Sequence, residues 1–216
     1  MTARCGRRFF STDPATLAQK LLGQRLVRVL DSGERLAGTI VETEAYLGVE
    51  DRAAHTFGGR RTPRNEAMYG AAGTAYGYFT YGMHHCMNVV AGRLEEPVAV
   101  LIRALEPTEG LGAMRGLRSG PRRSVKLGKA KAGLREDELC SGPARLCQAL
   151  AIDRQLNGID LTTDSRLWIE RARRVDPGGL EVRMTARVGV EYAGVWADKK
   201  LRWFVDGNRH VSRSKG

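Results

Sequence analysis

Residues 97–105, "PVAVLIRAL", form a near-continuous apolar run broken by one arginine. Such a run fits a central strand buried on both faces. That requirement points to a sheet, and strand-like runs stand on either side of it. "RLVRVL" and "RLAGTIVETEAY" flank Asp31-Ser32-Gly33, a turn signal, and read as a hairpin. "GTAYGYFTYGMHHCMNVV" is rich in aromatic and β-branched residues and reads as a second hairpin. "RLWIERA", "LEVRMTARVGV" and "KLRWFVD" read as later strands, separated by turns such as Asp176-Pro177-Gly178-Gly179.

Helical signals lie between these runs. "STDPATLAQKLLGQ" has Asp13 as N-cap, Pro14 at the first helical position and Gly23 past the end. "EPTEGLGAMRGLR" reads as helical despite its glycines, and "SGPARLCQALAI" as a helix capped by Ser141 with Pro143 in its first turn. "FGGRRTPRN" is loop. Residues 119–135, "SGPRRSVKLGKAKAGLR", are basic, Gly-rich and poor in core formers, and predict a mobile basic loop. No repeat or linker divides the chain. The expectation is one α+β domain over residues 1–216 with a mostly antiparallel sheet.

Lys and Arg number 35 against 24 Asp and Glu, a formal net charge of +11 in 216 residues. That surplus suits a polyanionic partner, either nucleic acid or an anionic membrane surface. No segment approaches the roughly 18 apolar residues of a membrane span. The opening "MTARCGRRFF" has no apolar secretory region, so a cytoplasmic protein is expected. Cys5, Cys86, Cys140 and Cys147 show no C-x-x-C spacing and are expected as reduced thiols rather than zinc ligands.

"TIVETEAYLG" sets Glu42 and Glu44 two residues apart in a strand, although Glu is a poor strand former. Alternation puts Ile40, Glu42, Glu44 and Tyr46 on one face. Two residues along a strand span roughly 6.5 Å. That is near the carboxylate separation of inverting glycosidases. The same pair also reads as two solvated acids on an edge strand, beside the surplus arginines.

In "YGYFTYGMHHCMN", Tyr76, Tyr78 and Thr80 share a face, and Phe79 on the opposite face is expected in the core. Tyr81 precedes Gly82 and is expected at a turn, where a bulky side chain on a basic protein suits wedging into DNA. Tyrosines beside arginine-rich loops suit base stacking. His84, His85 and Cys86 are adjacent, so strand alternation keeps them from converging on a metal. His55 stands alone before a glycine loop; it reads as structural, or as lining a pocket with Glu44 and Tyr46.

Six ordered blocks, "IVETEAYLG", "AAHTFGGRRTPRN", "YFTYGMHHCMN", "LIRALEP", "ELCSGPARLCQAL" and "ARVGVEYAG…W", together resemble the alkyladenine (3-methyladenine) DNA glycosylase family of the vertebrate type. The likeness runs from about residue 17 to residue 211. It implies a compact mixed domain with a curved antiparallel sheet, acting as a monomer on damaged double-stranded DNA without metal or organic cofactor. It implies that Glu44 activates the attacking water, helped by Arg103 and a backbone carbonyl within residues 188–190, where Val188 stands. It further implies that Tyr46, His55 and Tyr78 line the pocket for a flipped base and that Tyr81 intercalates. Asn88 would restrain entry of unmodified guanine. The implied reaction removes alkylated or deaminated purines, such as 3-methyladenine, 7-methylguanine, hypoxanthine and ethenoadenine, and leaves an abasic site. One departure accompanies the likeness: the family carries aromatics after Tyr-Gly-Met, where this chain has His84 and His85.

Two readings of other classes stand beside it. A carbohydrate hydrolase would use Glu42 and Glu44 together, but fits the charge poorly. A nucleic-acid-binding module explains the charge and the tyrosines but gives the acids no purpose.

Overall fold

The computed structural model describes residues 3–80, 84–119, 133–172 and 179–212. Among these, eight strands form one sheet: β1 (Arg25–Val29), β2 (Arg35–Tyr46), β3 (Ala75–Thr80), β4 (His84–Val90), β5 (Ala99–Glu109), β6 (Leu167–Glu170), β7 (Val182–Thr185) and β8 (Arg202–Val205). Every pairing is antiparallel, in the order β3-β4-β5-β2-β1-β6. β8 pairs with both β2 and β7. The twelve-residue β2 therefore has β5 along one edge, and on the other β1 first and β8 beyond it, as the sheet curves. β5 lies between β4 and β2, as its apolar run requires.

Five α-helices among the described residues accompany the sheet: α1 (Arg7–Phe10), α2 (Pro14–Leu21), α3 (Leu111–Ser119), α4 (Glu136–Leu139) and α5 (Pro143–Ala149). α2 begins where its cap predicts, with the Asp13 carboxylate accepting from Thr16 N at 2.8 Å. It buries Leu17, Ala18 and Leu21 against β2, and Thr43 Oγ1 donates to the Ala18 carbonyl at 2.9 Å. Each buried leucine contributes about 1.5–3 kcal/mol. Leu146, Cys147 and Ala149 of α5 pack on β4 and β5. The main core thus lies on the helix-covered face, with Ala45, Met87, Val89, Val100 and Ile102 pointing into it. Their neighbours Glu44, Asn88, Leu101 and Arg103 point the other way, which sets up the site.

Several expectations are corrected. The "EPTEGLGAMRGLR" stretch is not one helix: residues 106–109 finish β5, and α3 starts only after Gly110. Gly110 has φ +75, and a Cβ there would collide with Leu36 and lie 2.9 Å from the Arg35 carbonyl oxygen. Ser141 does not cap α5; Gly142 holds the N-cap position, and Ser141 Oγ instead meets Arg145 Nη1 at 3.0 Å. The strand expected through "LEVRMTARVGV" stops at Thr185. Phe79 is not core but 48% exposed, stacked at 4.9 Å on His85. Ile40 leaves the face of the glutamates for the main core, because the β2–β5 register shifts between Ile40 and Glu42. Gly82 and most of the basic stretch, residues 120–132, lie outside the described residues, as does the Asp176-Pro177-Gly178 turn. No helix among the described residues is long and apolar enough to cross a membrane.

Candidate active site

The β2–β5 ladder slips once near its start, between Ala37 and Gly38, and again in a matched pair of irregularities at the centre. Val41 is unpaired on β2 and Arg103 is unpaired on β5, so Glu42 faces Ala104 while Ile40 faces Leu105 and Thr43 faces Ile102. The two shifts cancel, and Glu44↔Leu101 resumes the earlier register. A bulge re-aims the side chain at its extra residue. Here it brings the Arg103 guanidinium between the two carboxylates.

The solvated-acid reading fails at this point. Glu42 and Glu44 are both fully buried on a strand paired along both edges. Glu42 Oε1 accepts from Arg103 Nε at 2.8 Å, Arg202 Nε at 2.7 Å and Ser212 Oγ at 2.8 Å. Its Oε2 accepts from Ser212 N at 2.7 Å. All four donors come from the protein and the carboxylate is fully buried, so Glu42 is committed to this network rather than to a substrate. Burial pushes its pKa up, but Arg103, Arg202 and the Ser212 hydrogen bonds outweigh that and hold it below the ordinary value. The two-acid hydrolase reading loses one of its acids.

Glu44 is held differently. Oε1 accepts from Val188 N at 2.8 Å and lies 3.2 Å from Arg103 Nη1; Oε2 accepts from the Tyr46 hydroxyl at 3.0 Å. Oε2 keeps a free lone pair. Burial disfavours the Arg103 cation, yet Glu44 and Glu42 raise its pKa above the ordinary guanidinium value. Burial, and then Glu44, keep the Tyr46 phenol protonated.

Tyr46, Arg103 and Val188, which all touch Glu44, also line a cavity of about 380 Å³. Its walls include His55, Tyr76, Tyr78 and Asn88. That volume lies at the small end of the about 300–1,000 Å³ usual for small-molecule sites. The tyrosines of β3 point inward: Tyr78 meets His55 edge-on at 4.5 Å, and Tyr76 lies 5.6 Å from Tyr78. His55 Nδ1 and the Tyr76 hydroxyl are 2.7 Å apart. Crowding by these rings, with Arg64 and Arg60 nearby, holds the His55 pKa below its ordinary value. Asn88 is buried opposite Tyr76, and its Nδ2 donates to the Tyr76 carbonyl at 3.0 Å. His84 lines the cavity, while His85 turns away to Phe79, as alternation requires. Tyr81 lies outside the described residues.

Of the sequence-predicted residues, Arg103, Tyr46, His55, Tyr78, Asn88 and Val188 line the cavity, and Glu44 is fully buried behind its wall, in contact with Tyr46, Arg103 and Val188. Val188 meets Glu44 through its N–H. Sequence reasoning missed Arg187 and Asp51, a fully buried bidentate pair at 2.5 and 2.9 Å. Arg187 also donates to the Ala45 carbonyl at 3.0 Å and lies 4.8 Å from the Tyr46 ring centroid. It thereby anchors the segment that delivers Val188. Arg202 and Ser212 were missed as well; no local spacing signals any of the four. Among the described residues no cluster of His, Cys, Asp or Glu is arranged to hold a metal.

The profile of the methylpurine-DNA glycosylase family matches residues 8–209. The DNA-3-methyladenine glycosylase of Homo sapiens is 50% identical over 209 residues, covering 97% of this chain and 68% of that protein. That of Mus musculus is 47% identical, covering 98% of this chain and 62% of its own length. A putative 3-methyladenine DNA glycosylase of Clostridium acetobutylicum is 44% identical, covering 95% and 96%. The chain spans about two thirds of the mammalian relatives and nearly all of the bacterial one. It belongs to the methylpurine-DNA glycosylase family.

Proposed function

We propose that the chain is a monofunctional DNA-repair glycosylase that hydrolyses the N-glycosidic bond of alkylated or deaminated purines, including 3-methyladenine, 7-methylguanine, hypoxanthine and ethenoadenine. The observation that carries this reading is the Glu44 carboxylate, buried directly behind the wall of a tyrosine-rich cavity and touching three of the residues that line it, with Oε2 accepting a single hydrogen bond. A purine inside a duplex is out of reach, so it must be extruded at a cost of a few kcal/mol. The basic surface supplies phosphate affinity, and Tyr81 fills the gap left in the stack.

In the cavity the base stacks against Tyr46 and Tyr78, whose ring faces favour electron-poor, cationic purines. His55 meets its edge, and Asn88 obstructs the exocyclic amine of guanine. Water approaches the anomeric carbon as the glycosidic bond lengthens. Glu44 Oε2 takes the water's proton, its oxygen bonds to the sugar, and the electron pair of the broken bond leaves with the base. A cationic methylpurine departs neutral and needs no proton; neutral hypoxanthine or ethenoadenine departs as an anion and takes its proton from solvent water. The Glu44 charge stabilises the oxocarbenium-like transition state, and Arg103 and Val188 N–H hold that carboxylate in position. No lysine is among the described residues that line the cavity, which suits a reaction without a Schiff base, whose product is an abasic site without strand cleavage. One copy supplies every group, so the working unit is a monomer.

The test is incubation with duplexes carrying each lesion, followed by hot alkali. Strand breaks that appear with the native protein and vanish with Glu44→Gln support the reading. Intact strands on every lesion would refute it.

A further inference from the structure

Arg103 spends only one of its donors on Glu44. The side edge of its guanidinium is engaged elsewhere: Nε on Glu42 at 2.8 Å and Nη2 on Ser212 Oγ at 3.3 Å. Ser212 Oγ in turn donates to Glu42 Oε1 at 2.8 Å, and Ser212 N donates to Glu42 Oε2 at 2.7 Å. Arg202 completes the cluster, with Nε on Glu42 at 2.7 Å and Nη2 on the Ser212 carbonyl at 3.3 Å. Two carboxylates and two guanidiniums balance in charge. Glu42 is fully buried, and Arg103, Arg202 and Ser212 are buried beside it.

Two anchored points fix the plane of a guanidinium. With Nε and Nη2 held, the position of Nη1 is fixed as well, and it lies 3.2 Å from Glu44 Oε1 as an ion-pair partner. Without those anchors, Arg103 could rotate to pair bidentately with Glu44 and occupy its remaining lone pair. We propose that Glu42 and Ser212 form a clamp that sets the angle of Arg103 and so keeps one face of Glu44 open for water. This rests on the reading of Glu44 and Arg103 as the reacting pair. Glu42 and Ser212 do not line the cavity and are positioning residues. The clamp joins strand β2 to a residue 170 positions later, so the last described turn of the chain takes part in arranging the site.

The experiment compares native protein with Ser212→Ala, which removes the bridging hydroxyl, and Ser212→Thr, which keeps it. The Arg103 Nε–H resonance, identified in ¹⁵N NMR by its loss in Arg103→Lys, reads the clamp directly. Its hydrogen exchange should quicken about tenfold in Ser212→Ala, the equivalent of one net hydrogen bond. Single-turnover release of hypoxanthine should also fall about tenfold, with lesion-duplex Kd unchanged and the rate restored by threonine. Adding Ser212→Ala to Arg103→Lys should cost nothing further, since the clamp acts only through Arg103. Unchanged exchange overturns the clamp. So does an unchanged release rate, or a loss that adds in full to that of Arg103→Lys. If native protein releases no base from any lesion, the glycosylase reading fails, and the NMR comparison alone still decides whether Ser212 holds Arg103.

Discussion

Glu42 and Glu44 share one guanidinium: Arg103 gives Nε to the first at 2.8 Å and Nη1 to the second at 3.2 Å. The two acids nevertheless differ in what remains to them. Glu42 accepts four hydrogen bonds from the protein, whereas Glu44 accepts two and has Arg103 beside it as an ion-pair partner. The contrast predicts opposite outcomes for the same substitution at each.

Glu44→Gln keeps size and can still accept from Val188 N–H, but cannot take a proton. Base release in single-turnover assays should fall 10²–10⁴-fold, roughly 3–5 kcal/mol of barrier. Lesion-duplex binding should persist or tighten, because a carboxylate near phosphates has gone. A folded Glu44→Gln protein with native turnover would remove Glu44 from its role.

Glu42→Gln should act on stability first. Losing one member of a buried ion-paired set costs about 3–5 kcal/mol. The pH dependence follows from the depressed Glu42 pKa, caused by Arg103 and Arg202 outweighing burial. The native state then binds fewer protons than the unfolded chain just below the ordinary value of 4.5. The stabilisation is therefore fully present above that pH and is lost as pH falls through the folded value. Melting curves between pH 7 and pH 3 should show a steep acid decline in native protein and a shallower one in Glu42→Gln. Parallel curves would contradict this assignment.

Arg187→Lys is not a conservative change at a bidentate site. It should destabilise the protein by about 3–5 kcal/mol, because Asp51 loses its fork and stays buried. Urea unfolding measures the loss. Asp51→Asn should cost a similar amount, and the double variant less than the sum of the two. Full additivity would mean that the pair is not coupled.

Asn88→Ser shortens the side chain that spans to the Tyr76 carbonyl. It should cost about 1 kcal/mol of stability. Release of unmodified guanine should rise relative to ethenoadenine. An unchanged ratio would mean that guanine is excluded elsewhere.

Much of this architecture was legible in the sequence, and the failures share a cause. The α2 cap, the Asp31-Ser32-Gly33 hairpin and the buried β5 run depend on neighbours in sequence, and each was read correctly. Ile40 was misplaced because the register shifts at the very next residue, Val41, and nothing in "TIVETEAY" marks it. Phe79 was misplaced because hydrophobicity does not say which face of a strand is covered. The site residues other than Tyr81 were named through likeness to a family, and they meet around one cavity. Arg187 and Asp51 went unseen because their partnership spans 136 residues, beyond any spacing rule.

Binding should also depend on salt. Neutralising about five phosphates gives a slope of about −4.5 in log K against log salt. Replacing Arg122, Arg123, Lys126, Lys129 and Lys131 with Gln should flatten that slope and weaken all sequences alike, since phosphate contacts carry no sequence information. Titration by fluorescence anisotropy at several salt concentrations measures both. A salt-independent affinity would exclude a phosphate-driven encounter.

The opposed irregularities at Val41 and Arg103 limit how this chain can drift over generations. A substitution nearby can be offset by a neighbour of different size. Deleting one of these residues alone would slip every later rung of the ladder by one, turning Glu44 toward the greasy side where Ala45 now sits. Only a matched loss on both strands would preserve the frame, and it would discard Arg103 with it. The length of these two segments is therefore under tighter inheritance than most of their letters, and gaps in either should be the rarest kind of change among functioning descendants.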